Sequence, residues 1–220
     1  MHPLELRLFD AVIGRADAVQ LPVLPVPDAA SRLVAGHYCD EFAEAHGKSL
    51  PVRQALGAEI PFAGTGCALR RDLLQRIADL RGGSPFDPGS LTEDYELGLT
   101  VAMLGGRTEF VRVLEQAGDR HSLICVRACF PGRVGDAVRQ KARWTIGIAL
   151  AGWDRLGWRG GPAEFWMRLR DRRAVLAALV LFAAYLTLLL WATLALLALV
   201  MPFPARPLSP ALTGLLWFNL

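Results

Sequence analysis

A short acidic segment, SLTEDYE at residues 90–96, holds the side chains best suited to proton transfer. Ser90 with Glu93 three residues later matches a capping box, and acidic residues in a first helical turn complement the helix dipole. Capping accounts well for Glu93. It accounts less well for Asp94, which beside a helix start would stay ionised and could accept a proton from a hydroxyl. The segment predicts either a plainly capped helix or a helix whose first turn carries a general base.

A second group of reactive side chains lies in RQKARW, residues 139–144. On a helix, Gln140, Arg143 and Trp144 are spaced i, i+3 and i+4, which places an amide, a guanidinium and an indole on one face. Arginine can bind phosphate oxygens through two hydrogen bonds, and an indole can stack on the apolar face of a sugar ring. The alternative is a basic helix at a membrane interface, because further tryptophans follow at residues 153, 158 and 166.

A glycine turn, FAGTG at residues 62–66, is the third candidate. Its glycines could begin a dinucleotide-binding loop, but Leu69 occupies the position of the third glycine of GxGxxG, and no suitable acidic residue ends a following strand. That function is therefore excluded. Gly64, Thr65 and Gly66 form either a turn that lets a bulky ligand approach the backbone or a plain strand-to-helix turn.

The elements that must position these residues alternate between helix and strand. Periodicity predicts helices over residues 3–13, from Asp28 to Gly47, and over residues 70–80. Apolar runs predict strands over residues 19–26, 60–63, 107–113 and 123–127. This alternation predicts an α/β layer domain.

The chain also contains a stretch that predicts membrane residence. Residues 174–200 include 27 consecutive residues without a charged side chain. As a helix they would extend for about 40 Å, and a bilayer core needs about 30 Å. Arg168, Arg170, Arg172 and Arg173 precede the run, so we expect them at the cytoplasmic leaflet and the polar part of the chain in the cytosol. Residues 208–220 read as the start of a second span that is cut off.

Composition excludes several other functions. The net charge of +3 is too small to indicate a nucleic-acid partner. The four cysteines, at residues 39, 67, 125 and 129, contain no CxxC pair and are expected to be core thiols. His37, Asp40, Glu41 and His46 lie close together, but their spacing fits no standard metal site. A structural or acceptor-side role is therefore favoured for them.

The order of the three candidates, followed by an apolar span, resembles the processive, membrane-embedded family 2 glycosyltransferases of the cellulose and hyaluronan synthase type. The resemblance rests on the glycine turn, on the TED motif at residues 92–94 and on QxxRW at residues 140–144. It implies that Asp94, with Glu93 beside it, is the general base acting on the acceptor hydroxyl. It also implies that the acceptor and the nucleotide diphosphate lie at Gln140, Arg143 and Trp144, with the acceptor-side turn at Gly64, Thr65 and Gly66.

The resemblance further implies a domain order. It places the C-terminal part of a GT-A glycosyltransferase domain at residues 1–150, an amphipathic interfacial segment at 151–173, a transmembrane helix at 174–200 and a truncated second one at 208–220. The substrates implied are a nucleotide sugar and a glycan acceptor. The family's divalent cation, Mg²⁺ or Mn²⁺, is held by a DxD-type motif in a nucleotide-binding half. We expect those ligands to be missing from this chain and its activity alone to be incomplete.

A closer resemblance is carried by residues 2–9, 40–42 with 46–48, 91–97 and 138–147. It is to a branch of the family linked to exopolysaccharide secretion and to phage entry. This branch implies a multi-pass protein of the bacterial inner membrane, with the lipid bilayer and the proteins of a secretion complex as partners. The alternative is a non-catalytic inner-membrane scaffold, or a phage-adsorption or export component.

Overall fold

The computed structural model describes residues 2–118, 120–201 and 209–218. The chain divides into two compact units, Met1–Val175 and Leu176–Leu220. The helices are α1 (Glu5–Ile13), α2 (Arg32–Glu44), α3 (Leu50–Ala55), α4 (Arg71–Leu80), α5 (Glu93–Met103), α6 (Val134–Trp144), α7 (Gly152–Leu156), α8 (Pro162–Arg172), α9 (Ala174–Ala198) and α10 (Pro210–Phe218). The strands are β1 (Ala18–Gln20), β2 (Val23–Pro25), β3 (Cys67–Leu69), β4 (Thr108–Phe110), β5 (Leu114–Ala117), β6 (Arg120–Leu123) and β7 (Val126–Ala128).

A three-stranded sheet forms the centre of the first unit. β1 lies in the middle, antiparallel to β3 and parallel to β4. β2 pairs in parallel with β7, and β5 pairs antiparallel with β6. Because successive side chains of a strand point to opposite faces, β1 contributes to two apolar layers. Val19 packs with Val12 of α1, and Ala18 packs with residues of α4 and α5. This arrangement confirms the predicted α/β class.

Several element predictions are confirmed and others are wrong. α1 and α4 match the helices expected over residues 3–13 and 70–80. Residues 60–63 form no strand; Ile60 and Phe62 are buried, so their apolar pattern reflects packing and not a strand ladder. The expectation of core thiols is right for Cys125, which is buried, and wrong for Cys129, which is exposed.

Two helical runs continue through π-helical segments. α2 does not end at Gly47 as predicted, because a π-helix, Ala45–Ser49, joins it directly to α3. A second π-helix, Thr145–Ala151, joins α6 to α7. A π-helical turn is rare and is found frequently at functional sites. Both segments lie next to the candidate site described below.

One face of α8 carries charged side chains that are buried inside the protein. Arg168 is 1% exposed and Arg172 is 8% exposed. Arg168 pairs with Glu59 and Glu164, with both N–O distances 2.6 Å. Arg172 Nη2 instead donates to the carbonyl oxygens of Gly152 at 2.8 Å and Gly157 at 2.7 Å. Burial of these two arginines inside the protein was not predicted from the sequence, and the placement of the four arginines at the cytoplasmic leaflet stays a prediction.

α9 is long and apolar enough to cross a membrane by length and composition, and none of its residues is buried. It ends two residues before the predicted limit of 200. α10 occupies nine residues of the second apolar stretch. Residues 208, 219 and 220 of that predicted span lie outside the described residues.

Candidate active site

The acidic motif lies at the start of α5, but the predicted capping box is wrong. Thr92 is the N-cap, and its side chain makes no capping hydrogen bond. The Ser90 hydroxyl donates instead to Glu96 Oε1 at 2.7 Å, and Arg155 Nε donates to the same oxygen at 2.7 Å. Glu93 is exposed in the first turn. The loop before α5 is therefore fixed by Glu96, and Asp94 is not needed to cap the helix.

Asp94 meets the glycine turn directly. Its Oδ1 accepts a hydrogen bond from the Tyr95 backbone N–H at 2.9 Å. Gly64 has a φ of 73°, and a Cβ added there would lie 2.8 Å from Asp94 Oδ2. Only glycine suits both this backbone conformation and this close approach. The turn and the TED motif, separated by almost thirty residues in sequence, thus form one structural unit around the carboxylate.

The pKa of Asp94 reflects its surroundings. Burial raises the pKa, and the negative charge of Glu93 adds to the rise. The Tyr95 N–H hydrogen bond and the positive charge of Arg143 oppose it. A carboxylate with a raised pKa holds an accepted proton more firmly, which suits a general base.

Gln20, which the sequence analysis did not single out, holds the glycine turn in place. It is fully buried, and its Nε2 donates to the carbonyl oxygens of Thr65 at 2.9 Å and Gly66 at 3.2 Å. Its Oε1 accepts from the Ala63 N–H at 2.9 Å. One side chain therefore satisfies three backbone groups of the turn. The only sequence signal is a lone polar residue inside the apolar run 19–26.

The QxxRW residues lie on α6 beside an aromatic cluster. Gln140 Oε1 accepts a hydrogen bond from the Tyr38 hydroxyl at 2.7 Å. The Trp144 ring lies 6.2 Å from the rings of Tyr38 and Phe42 and 6.4 Å from that of Phe130. Arg143 is exposed, and its side chain makes no hydrogen bond or ion pair within the described part of the chain. Its guanidinium is therefore available to a ligand.

A close contact joins the two motifs. A Cβ added at Gly147, in the second π-helix, would lie 2.6 Å from both Oγ1 and Cγ2 of Thr92. Thr92 is 3% exposed, and its Oγ1 has no hydrogen-bond partner among the described residues. The absence of a side chain at Gly147 thus lets the segment after QxxRW pack directly on the residue that begins TED.

A cavity of about 190 Å³ lies where these elements meet. Its lining includes Asp94, Thr92, Trp144 and His46. Gly64 lies beside the Asp94 carboxylate that lines this cavity, and the positive charge of Arg143 lowers the pKa of the same carboxylate. Among the remaining predicted site residues, Glu93, Thr65, Gly66 and Gln140 do not line this cavity.

His46 contributes a neutral imidazole to the cavity. It is 4% exposed, its ring is stacked on that of Phe42 at 5.3 Å, and its Nδ1 accepts the Val23 N–H at 3.3 Å. Burial lowers the pKa of His46 to about 4. Because Nδ1 accepts a hydrogen bond, the proton of the neutral ring is on Nε2.

The comparisons with known proteins agree with this geometry. The model of the family described as "Glycosyl transferase family group 2" matches residues 1–216, so the chain belongs to that family. The chain is 37% identical over 203 residues to bacteriophage adsorption protein B of Escherichia coli strain K12, and equally to bacteriophage N4 adsorption protein B of Escherichia coli O157:H7. The match covers 86% of this chain but 27% of each relative. The predicted membership of glycosyltransferase family 2 and the closer resemblance to proteins linked to phage entry are confirmed.

The family generally uses divalent cations. Across residues 2–118, 120–201 and 209–218, no three His, Cys, Asp or Glu side chains lie together in a way that could hold a metal ion. Asp94 Oδ1 accepts from the Tyr95 N–H and Oδ2 lies beside Gly64, and none of the other carboxylates that the structure describes is hydrogen-bonded to Asp94. The described residues therefore do not fit a divalent cation.

Proposed function

We propose that this chain forms the acceptor side of a membrane-bound glycosyltransferase of the GT-A type, which transfers a sugar from a nucleotide sugar to a glycan hydroxyl. The observation that carries the proposal is that Asp94 and Trp144 line one cavity, with Gly64 close beside the Asp94 carboxylate. This combination supplies a base, a close backbone approach and an aromatic platform for a sugar ring. Family membership supports the same reaction class.

In the proposed step, the acceptor oxygen attacks the anomeric carbon of the donor while Asp94 takes the hydroxyl proton. The bond between that carbon and the diphosphate oxygen breaks, and the configuration inverts. Arg143, which has a free guanidinium, neutralises part of the charge that develops on the diphosphate. Trp144 holds the acceptor ring, and Gln140, fixed by Tyr38, positions the helix that carries both side chains.

The proposed setting is the bacterial inner membrane, with the motif-bearing domain in the cytosol and a role in exopolysaccharide synthesis or secretion. α9 supports membrane association. Exposed Trp153, Phe165 and Trp166 support an interfacial role for residues 151–173. The partial GT-A domain at 1–150 and a second span at 208–220 belong to the same proposal. The chain spans about a quarter of the length of its relatives, so the activity is proposed for the whole protein.

The test is sugar transfer by membranes that carry the natural full-length protein, with labelled UDP-glucose, UDP-N-acetylglucosamine and GDP-mannose as separate donors. Asp94→Asn should lower incorporation into polymer at least about 100-fold, because the amide cannot take the proton. Asp10→Asn, at an exposed position on α1, is the matched control and should leave incorporation unchanged. Normal transfer by Asp94→Asn would refute the assignment of the base.

A second candidate function comes from the relatives' names, which describe adsorption of a bacteriophage. A non-catalytic scaffold in phage adsorption or export would not need the Asp94 carboxylate. Phage adsorption to cells that carry Asp94→Asn separates the two functions. Loss of transfer with normal adsorption would show that the chemistry and the receptor role are independent.

A further inference from the structure

A second cavity, of about 290 Å³, lies beside the cavity of Asp94. The two share four lining residues, which are Ala45, His46, Phe62 and Ala63. The remaining lining comes largely from α3 and from the end of α8, where Arg170, Asp171 and Arg173 contribute. All of these residues belong to the first compact unit. The cavity is therefore a feature of one folded body.

The charge in this second cavity is positive. Three guanidiniums, of Arg53, Arg170 and Arg173, and one carboxylate, of Asp171, line it. The carboxylate is already engaged, since Asp171 Oδ2 accepts from Arg53 Nη1 at 2.7 Å and from the Tyr95 hydroxyl at 2.6 Å. The side chains of Arg170 and Arg173 make no hydrogen bond or ion pair among the residues that the structure describes. Two positive charges in the lining are thus uncompensated.

Hydrogen-bond donors accompany these charges. The Ser49 hydroxyl makes no hydrogen bond to any described residue, and the neutral His46 ring carries its proton on Nε2. Arginines with neutral donors suit the oxygens of a phosphate group, which accept several hydrogen bonds at once. A cavity without a free carboxylate and with two unpaired arginines favours an anion over a cation or a neutral sugar.

The position of these arginines in the chain indicates which kind of molecule carries the phosphate group. Arg173 is followed immediately by Ala174, the first residue of the helix that is long and apolar enough to cross a membrane. Basic residues at this point of a chain lie at the level of lipid headgroups. We propose that the cavity between α3 and the end of α8 binds the phosphate group of an anionic lipid headgroup through Arg170 and Arg173. This site does not depend on the transfer reaction.

Native mass spectrometry of the full-length protein in neutral detergent tests the proposal. Phosphatidylglycerol should form a saturable adduct, and diacylglycerol, which lacks the phosphate, should not. Arg170→Gln combined with Arg173→Gln should weaken the adduct at least about tenfold, because each basic residue near an anionic headgroup contributes measurably. Arg7→Gln combined with Arg76→Gln removes the same charge from exposed positions on α1 and α4 and should retain the adduct.

Inorganic phosphate, added as a competitor at millimolar concentration, distinguishes the two sources. Retention of the phosphatidylglycerol adduct in its presence supports a headgroup site, and displacement by it overturns the assignment to lipid. Equal phosphatidylglycerol binding by wild type and by the Arg170/Arg173 double variant overturns the site itself. Arg170→Lys combined with Arg173→Lys, which keeps the charge, guards against a misfolded variant and should restore most of the binding.

Discussion

Asp94 and His46 line the same cavity, and burial changes the pKa of each in the direction that disfavours its charged form. For Asp94 the result is a carboxylate with increased proton affinity, held beside a glycine that leaves one oxygen approachable. For His46 the result is a ring that stays neutral at physiological pH and can donate only through Nε2. The residue pair thus offers an acceptor and a donor to one ligand.

The pKa of His46 predicts a pH dependence of stability. The folded pKa of about 4 is below the unfolded value of 6.5, so the contribution is complete above pH 6.5 and is lost as the pH falls toward 4. The loss amounts to roughly 3 kcal/mol. His46→Asn, whose side-chain oxygen can still accept the Val23 N–H, should flatten this part of the profile. Thermal unfolding of the purified chain in detergent at pH 7.5 and 4.5 measures the effect.

The control for this prediction is His37→Asn, because His37 is exposed. Its profile should follow that of wild type. If His46→Asn lost as much stability between the two pH values as wild type does, the histidine would not be the titrating group.

At the scale of elements, both π-helical segments border the candidate site. Ala45–Ser49 contains His46, and Thr145–Ala151 contains Gly147 and Ile148. A π-helical turn displaces the residues that follow it relative to a regular helix. The second segment brings Gly147 onto Thr92, and so sets the position of QxxRW relative to TED.

Gly147→Ala should therefore disturb both stability and transfer. The new methyl group would lie 2.6 Å from Thr92, and such overpacking costs about 1–3 kcal/mol. Gly36→Ala, in α2, is the matched control: a Cβ there meets nothing within 4 Å, and alanine should stabilise the helix by about 0.5–1 kcal/mol. Denaturant unfolding and sugar transfer check both variants. A Gly147→Ala protein as stable and active as wild type would contradict the proposed role of the contact.

The sequence predicted some elements well and others poorly for identifiable reasons. α1 and α4 follow from local periodicity, and the order of TED and QxxRW was enough to predict the family. The role of Gln20 depends on backbone groups more than forty residues away, which no local pattern reveals. Ser90 was misassigned because Thr92 is the N-cap, and the Ser90 hydroxyl donates to Glu96, whose Oε1 also accepts from Arg155 Nε.

At the scale of the whole first unit, a buried ion network fixes α8 to the α/β core. Arg53 pairs with Asp171, and Arg168 pairs with both Glu59 and Glu164. The pKa of Glu59 is raised to about 7. Burial and the negative charge of Glu164 raise this pKa more than the positive charge and hydrogen bond of Arg168 lower it. The four arginines before α9 look alike in sequence, because no local pattern shows that Arg168 pairs with Glu59, more than a hundred residues earlier, while the side chains of Arg170 and Arg173 stay unpaired among the described residues.

Removal of one member of this network should strongly destabilise the folded protein. Arg168→Met leaves Glu59 and Glu164 together without their shared cation, and breaking a buried pair costs about 3–5 kcal/mol. The loss should be smaller at pH 5 than at pH 8, because protonation relieves the two carboxylates. Chemical unfolding in detergent measures the loss of stability. The control is Arg159→Met, at an exposed position, whose free energy of unfolding should stay within about 0.5 kcal/mol of wild type. Similar stability of both variants would show that the network is dispensable.

The hydrogen bond between the Tyr95 hydroxyl and Asp171 has a mechanical consequence. Tyr95 is the neighbour of Asp94, and Asp171 is three residues before the apolar helix Ala174–Ala198. Within the first unit, this one hydrogen bond ties the residue beside the proposed base to the last turn of α8, so a displacement of that turn is passed to the start of α5 through Tyr95.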